Sequence, residues 1–219
     1  MSNINYIYNY EMSNDDYKKD FNLQYSYDKD PECEKEYFKI ITSESTDVPH
    51  GLEINIYKDD KPFLKESKTD PRSEIRGLKN INDNTEYILN WKQYLETYSS
   101  EYNFNFFQLF GKDGPNIMLR WKNNRYELLA LQGKNVIIPI NLDIKDDIHK
   151  WVNWKIEFLL SPISGYVKVF KDDELIGELN GNTSGDNDSY LKLGFYSCDN
   201  SIPYCKNTLY IKDLKLIKI

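Results

Sequence analysis

Histidine and cysteine are scarce in this chain: 219 residues hold two of the first and three of the second. Nowhere do they cluster at ligand spacing, which excludes a zinc site. The cysteines leave the redox setting open. Cys198 and Cys205 bracket a short Pro-containing loop and can pair in an oxidising compartment, with Cys33 left over. No run of about 18 apolar residues occurs, so no helix is expected to span a membrane. Positive charge is in deficit: 28 Lys and Arg against 35 Asp and Glu give a net charge of −7. That argues against a nucleic-acid binder, whose footprint is basic. An acidic chain still holds an anionic polymer if its basic residues gather in one place. The opening MSNINYIYNYEMSNDDYKKD lacks the charged, apolar and small-residue sections of a secretion leader. The expectation is a chain that stays within a cell or virion, or one whose leader gave way to an initiator Met. Asn182 and Asn187 begin Asn-x-Ser sequons in an Asn-rich chain and decide nothing, so the compartment stays open.

What is plentiful is aromatic: 18 Tyr, 10 Phe and 4 Trp. Such residues favour strands. Alternation predicts strands over residues 6–10, 21–27, 36–42, 52–57 and 72–76, then 86–95, 103–110, 116–121, 125–131 and 136–140. A second series occupies 151–160, 165–170, 174–179, 189–196 and 208–219, with a helical turn expected only within 142–149. Turn clusters such as Gly111-Lys-Asp-Gly-Pro115, Lys122-Asn-Asn124 and Gln132-Gly-Lys134 separate the runs. Short strands at this even spacing predict an all-β antiparallel sandwich or barrel. One domain is expected over residues 1–219, with 1–35 adding N-terminal strands, and the protein is expected to act as a monomer.

Three stretches carry side chains with chemistry. Residues 70–76 read Asp-Pro-Arg-Ser-Glu-Ile-Arg, so Arg72, Glu74 and Arg76 share one strand face. Two guanidinium groups held by a carboxylate make a floor for an anion; a solvated face laced by ion pairs is the plainer alternative. Gln108 stands within the apolar run Phe106-Phe-Gln-Leu-Phe110. In the run 189–196, Tyr190, Lys192, Gly194 and Tyr196 fall on one face, and Leu191, Leu193 and Phe195 form a natural core face. Trp151 and Trp154, with Lys168 and Phe170, read as core or as the wall of a groove.

In this order, Arg-Ser-Glu-Ile-Arg, Gln-Leu-Phe and Tyr-Leu-Lys-Leu-Gly-Phe-Tyr resemble three motifs of the jelly-roll polysaccharide lyases, the alginate-lyase and heparin-lyase-like enzymes. The family patterns are Arg-Ser/Thr-Glu-x-Arg, Gln-x-His and Tyr-x-Lys-x-Gly-x-Tyr. The likeness covers about residues 50–219, with Trp154 and Gly165-Tyr-Val-Lys-Val-Phe170 in keeping with it. It implies a concanavalin A-like jelly roll that binds an acidic polysaccharide in a groove on one sheet and cleaves it by β-elimination, without a cofactor. It further implies that Arg72 and Gln108 neutralise the uronate carboxylate and stabilise the enolate. Tyr196 would be the acid and also the base, its phenolate favoured by Lys192 or Arg76, while Glu74 orients the arginines. Tyr190 and Arg120 would join Glu74, Arg76 and Lys192 in binding substrate. The pattern's His is replaced by Phe110. His50, in Val-Pro-His-Gly before a strand, is the candidate substitute; His149 lies in a charged stretch.

Other classes make different demands of the same residues. A sandwich glycoside hydrolase needs paired carboxylates, in this fold as Glu-x-Asp-x-Glu; only Glu53-Ile-Asn55 approaches it, without the second acid. A non-catalytic lectin-like module and a structural coat protein remain open alternatives. Of metals, only a structural calcium has donors, in loops such as Asp186-Asn-Asp188.

Overall fold

A computed structural model describes residues 5–10, 21–25, 36–42, 51–57, 71–77, 80–97, 103–112, 114–130, 136–183, 189–197 and 206–219. Fifteen strands are described. They are β1 Asn5–Tyr10, β2 Phe21–Tyr25, β3 Phe38–Ile41, β4 Gly51–Tyr57, β5 Arg72–Gly77, β6 Glu86–Leu95, β7 Phe104–Phe110 and β8 Pro115–Lys122. The rest are β9 Arg125–Ala130, β10 Val136–Asp143, β11 Trp151–Leu159, β12 Gly165–Lys171, β13 Glu174–Gly181, β14 Tyr190–Ser197 and β15 Lys206–Lys218. A single 3-10 turn, Ile144–Asp147, falls inside the predicted helical stretch, its first turn capped by the Asp143 carboxylate.

Two antiparallel sheets form the expected sandwich. One runs β13-β12-β11-β6-β15-β4-β3, and the other β10-β9-β8-β7-β14-β5-β2. The long β15 is bordered by β6 on one edge; on its other edge β4 pairs with its first half and β1 with its last residues.

Period-2 burial explains the packing. In β6, Tyr87, Leu89, Trp91, Gln93 and Leu95 point inward, while the residues between them are more exposed. Val152, Trp154, Ile156 and Phe158 do the same in β11. Aromatic rings then join the sheets. Trp91 stacks on Phe107 at 5.7 Å, and Trp154 meets Phe106 and Tyr126, each at 5.2 Å. Each such pair adds about 1 kcal/mol beyond its buried area. Trp154 is therefore core. Trp151 and Phe170 lie on the far side of that sheet, with Lys212 and Lys155 over their rings, so they wall no site on the other sheet.

Of the register shifts in the second sheet, two set which residues of β7 and β14 face outward around Gly194 and Asn105. Between Leu193 and Tyr196, β14 carries one residue more than β7, and between Asn105 and Phe107, β7 carries one more than β8. Phe106 and Phe107, adjacent in sequence, thus both reach the core. Gly194 sits at the first bulge with φ +138, and a Cβ there would lie 2.3 Å from the Ser73 carbonyl oxygen. Gly194→Ala is expected to destabilise the fold by roughly 3 kcal/mol, since strained backbone and a close approach coincide. Chemical denaturation measures it, and an unchanged midpoint would show that β5 and β14 can separate at no cost.

Candidate active site

Strand register brings together most of the residues that the sequence singled out as candidates. Arg76 on β5 faces Lys192 on β14, which faces Gln108 on β7, so the three form one row across the sheet. Glu74 faces Gly194 in the next row. A third row runs Arg72, Tyr196, Asn105, Arg120 and Glu127 across β5, β14, β7, β8 and β9. Beyond Lys192 on the other side, Tyr190 pairs with Phe110. All lie on the face turned away from the core, because Ile75, Leu191, Leu193, Phe195, Phe107 and Leu109 occupy the inner one.

Glu74 is the centre. Its carboxylate accepts a 2.6 Å hydrogen bond from Gln108 Nε2 and a 3.4 Å one from Lys192 Nζ, and Arg72 Nη1 lies 3.9 Å away. Glu74, Lys192 and Gln108 are only 1%, 2% and 3% exposed, so this is not the solvated face of the plainer reading. They form a floor. Above it stand the half-buried Arg72, Arg76, Tyr190, Tyr196 and Phe110. The Arg76 guanidinium lies 3.9 Å from the Tyr190 ring centre, and that of Arg72 4.6 Å from Tyr196. Lys192 Nζ sits 4.6 Å from the Phe110 ring centre.

This crowding shifts two protonation equilibria. Burial pulls the Lys192 ammonium below its ordinary range, against the attraction of Glu74 and with help from Arg72 and Arg76. Burial pushes the Tyr190 phenol up, with Glu74 adding to the shift and Arg76 and Arg72 opposing it. The face thus holds a neutral phenol beside a lysine that loses its proton more readily than usual.

Arg120 also reaches this face but is paired, its Nε 2.7 Å from Glu127. Alternation misses Asn105, since an odd-numbered residue on β7 belongs with Phe107 and Leu109 inside. The bulge turns it to the row of Tyr196 and Arg120, and its side-chain oxygen is buried without a hydrogen-bond partner. Only the Asn in an otherwise aromatic run hinted at it.

The remaining candidates lie elsewhere. His149 comes just after the 3-10 turn, with a ring nitrogen 2.8 Å from the Glu96 carbonyl oxygen and its ring against Tyr94, beside the opposite sheet. His50, the three cysteines and Asp186-Asn-Asp188 fall outside the described residues. Among the described residues no group of His, Cys, Asp and Glu is placed to hold a metal ion, and no helix is long and apolar enough to cross a membrane. Glu53 sits on the opposite sheet, bonded to Asn55 and Lys206.

Known proteins share this architecture. The alginate lyase AlgAT5 from polysaccharide lyase family 7 superposes with a TM-score of 0.66 at 17% identity, over 91% of this chain and 94% of that one. An alginate lyase from Pseudomonas aeruginosa gives 0.63 at 17% identity, over 90% and 97%. One from Corynebacterium sp. gives 0.63 at 14%, over 91% and 94%. These likenesses establish the jelly-roll fold. No curated protein matches by sequence. The family model described as polysaccharide lyase, however, matches residues 13–213. Since that span covers most of the chain and every residue of the cluster around Glu74, the chain belongs to the polysaccharide lyase family.

Proposed function

We propose that this lyase cleaves a uronic-acid polysaccharide by β-elimination at the face built on Glu74. One observation carries the reading. Arg72, Arg76 and Lys192 gather on one face with the buried Glu74 carboxylate among them. Basic groups collected in one place attract an anionic sugar and give a neutral one no such pull. The structural neighbours named as alginate lyases support the same substrate class, alginate being a polymer of uronates.

The chemistry asks for two things. The carboxylate beside C5 must be neutralised so that the adjacent proton becomes removable, and O4 must be protonated as it leaves. Arg76 and Gln108 flank Lys192 in one row, two strand spacings or about 10 Å apart. A carboxylate between them meets a guanidinium and an amide as enolate charge develops. Arg72, with Tyr196, Asn105 and Arg120 in its row, holds a further stretch of the same polymer. We assign proton transfer to Tyr190 ahead of Tyr196. Tyr190 adjoins the row of Arg76, Lys192 and Gln108, whereas Tyr196 lies beyond the bulge from it.

The test is an assay on alginate, glucuronan, pectate, heparin and hyaluronan, following the ultraviolet absorbance of the unsaturated uronate. A rise with at least one polymer, lost in Arg76→Ala, is the expected result. A flat trace with every polymer, together with polymer retarded in a native gel, would turn the face into a binding site without chemistry.

A further inference from the structure

A buried amide oxygen on this face serves no contact within the fold. Asn105 is 2% exposed, and its side-chain oxygen has no hydrogen-bond partner among the described residues. Such an orphan is costly to keep. In an unbulged strand position 105 would face the core with Phe107 and Leu109, where an apolar side chain would leave no polar atom unmet. The bulge in β7 instead turns it out to the row of Arg72, Tyr196 and Arg120.

The surroundings form a notch. Asn105 is a short side chain between two long, half-buried ones, Tyr196 on β14 and Arg120 on β8. Gly194, two residues before Tyr196, adds no side chain to that wall. The Arg120 guanidinium is turned to Glu127 at 2.7 Å, while that of Arg72 lies 4.6 Å from the Tyr196 ring centre. A sugar laid across this row meets the Arg72 cation, the Tyr196 ring and, once Tyr196 or Arg120 leans aside, the Asn105 oxygen.

Hydrogen-bond chemistry selects the partner of that oxygen. The carboxylates and glycosidic oxygens of a polyuronate only accept, whereas its free hydroxyls donate. We infer that Asn105 is a specificity-determining residue: its side-chain oxygen accepts from a free hydroxyl of a uronate unit held in the Arg72 row, so the protein discriminates against polyuronates whose hydroxyls are O-acylated. An ester there removes the donor, leaves the oxygen orphaned and adds bulk to the notch. The inference rests on the uronate reading of the same face and extends it from the sugar to its substitution. Asn105 and Gln108 are three residues apart on β7, about 10 Å. The hydroxyl therefore belongs to a unit outside the one placed between Arg76 and Gln108, and the effect falls on binding.

The experiment offers the full chain alginate, glucuronan and pectate, each unmodified and chemically O-acetylated. Affinity is read from native-gel retardation, and KM from unsaturated-uronate absorbance. The parent is expected to bind the acetylated form of its preferred polymer about tenfold more weakly than the unmodified form, the worth of one hydrogen bond. Asn105→Leu is expected to bind the unmodified polymer about tenfold more weakly, with the loss in KM rather than kcat, and to treat both forms alike. Having shed the orphan, it is also expected to melt about 2–4 °C higher. Asn105→Asp keeps an acceptor and is expected to keep the preference for free hydroxyls. Equal affinity of the parent for both forms, or a preference that survives Asn105→Leu, overturns the hydroxyl contact and leaves the uronate reading standing. A lower Tm in Asn105→Leu, or a variant that does not fold, does the same, because the oxygen then has a partner inside the fold. Retardation of none of the three polymers overturns both.

Discussion

Tyr190→Phe is expected to lower turnover on the preferred uronate polymer by a factor on the order of 10³, the usual worth of general acid–base catalysis. The ring stays, so its contacts with Arg76 and Phe110 persist and polymer binding is expected to change little. Tyr196→Phe is expected to cost only a few-fold, because it keeps the ring under Arg72 and removes a hydroxyl one bulge away from Gln108. The reverse ranking would return proton transfer to Tyr196. The pH profile separates a catalytic phenol from a merely structural one. Proton abstraction needs the phenolate, and burial holds the Tyr190 phenol above its ordinary value of about 10. The active form is thus a minority at neutral pH and grows as pH rises, so kcat/KM is expected to climb about tenfold per unit on the alkaline side. A flat profile between neutral and alkaline pH would remove Tyr190 as the base.

The second large effect concerns stability. Glu74→Ala is expected to destabilise the protein by about 3–5 kcal/mol, the cost of leaving a buried charge without its partner. Lys192 is 2% exposed and would then face Arg72 and Arg76 with no carboxylate between them. Gln108 would lose its 2.6 Å acceptor as well. For a chain of this size the loss corresponds to a fall in Tm on the order of 10 °C. The sign of the pH dependence comes from Lys192. Its folded-state ammonium already sits below the ordinary range and would be pushed further down, so the variant's deficit is greatest where the lysine must carry its proton. From neutral toward alkaline pH the deficit shrinks. Glu74→Gln keeps an acceptor and the volume and is expected to lose less. A Glu74→Ala variant melting with the parent would mean that Lys192 escapes to water and that the floor of the site is not rigid.

Much of this was legible in the linear sequence because side-chain direction in a strand is a local property. Alternation placed β6 at Glu86–Leu95, the bounds it has, and sorted Tyr190, Lys192 and Tyr196 from Leu191, Leu193 and Phe195. The Arg72, Glu74, Arg76 face comes from the same period. The order of the three motifs carried the resemblance, and the family match bears it out.

Other features were decided by pairing, which links positions far apart. Glu74 meets Gln108 across 34 residues and Lys192 across 118, and no local pattern encodes either contact. Burial of Glu74 and Lys192 results from those contacts, since residues that read as a solvated strand face become a floor once neighbouring strands flank them. The bulge that brings Asn105 beside Tyr196 exists only relative to β8 and β14, so period-2 reading put it on the wrong side. The same register sets Phe110 against Tyr190 and places Tyr196 a bulge away from Gln108. Residue type and strand face were thus properties of the sequence itself. Which phenol stands beside Arg76 and Phe110 was settled by strand register, because antiparallel pairing alone brings those residues together.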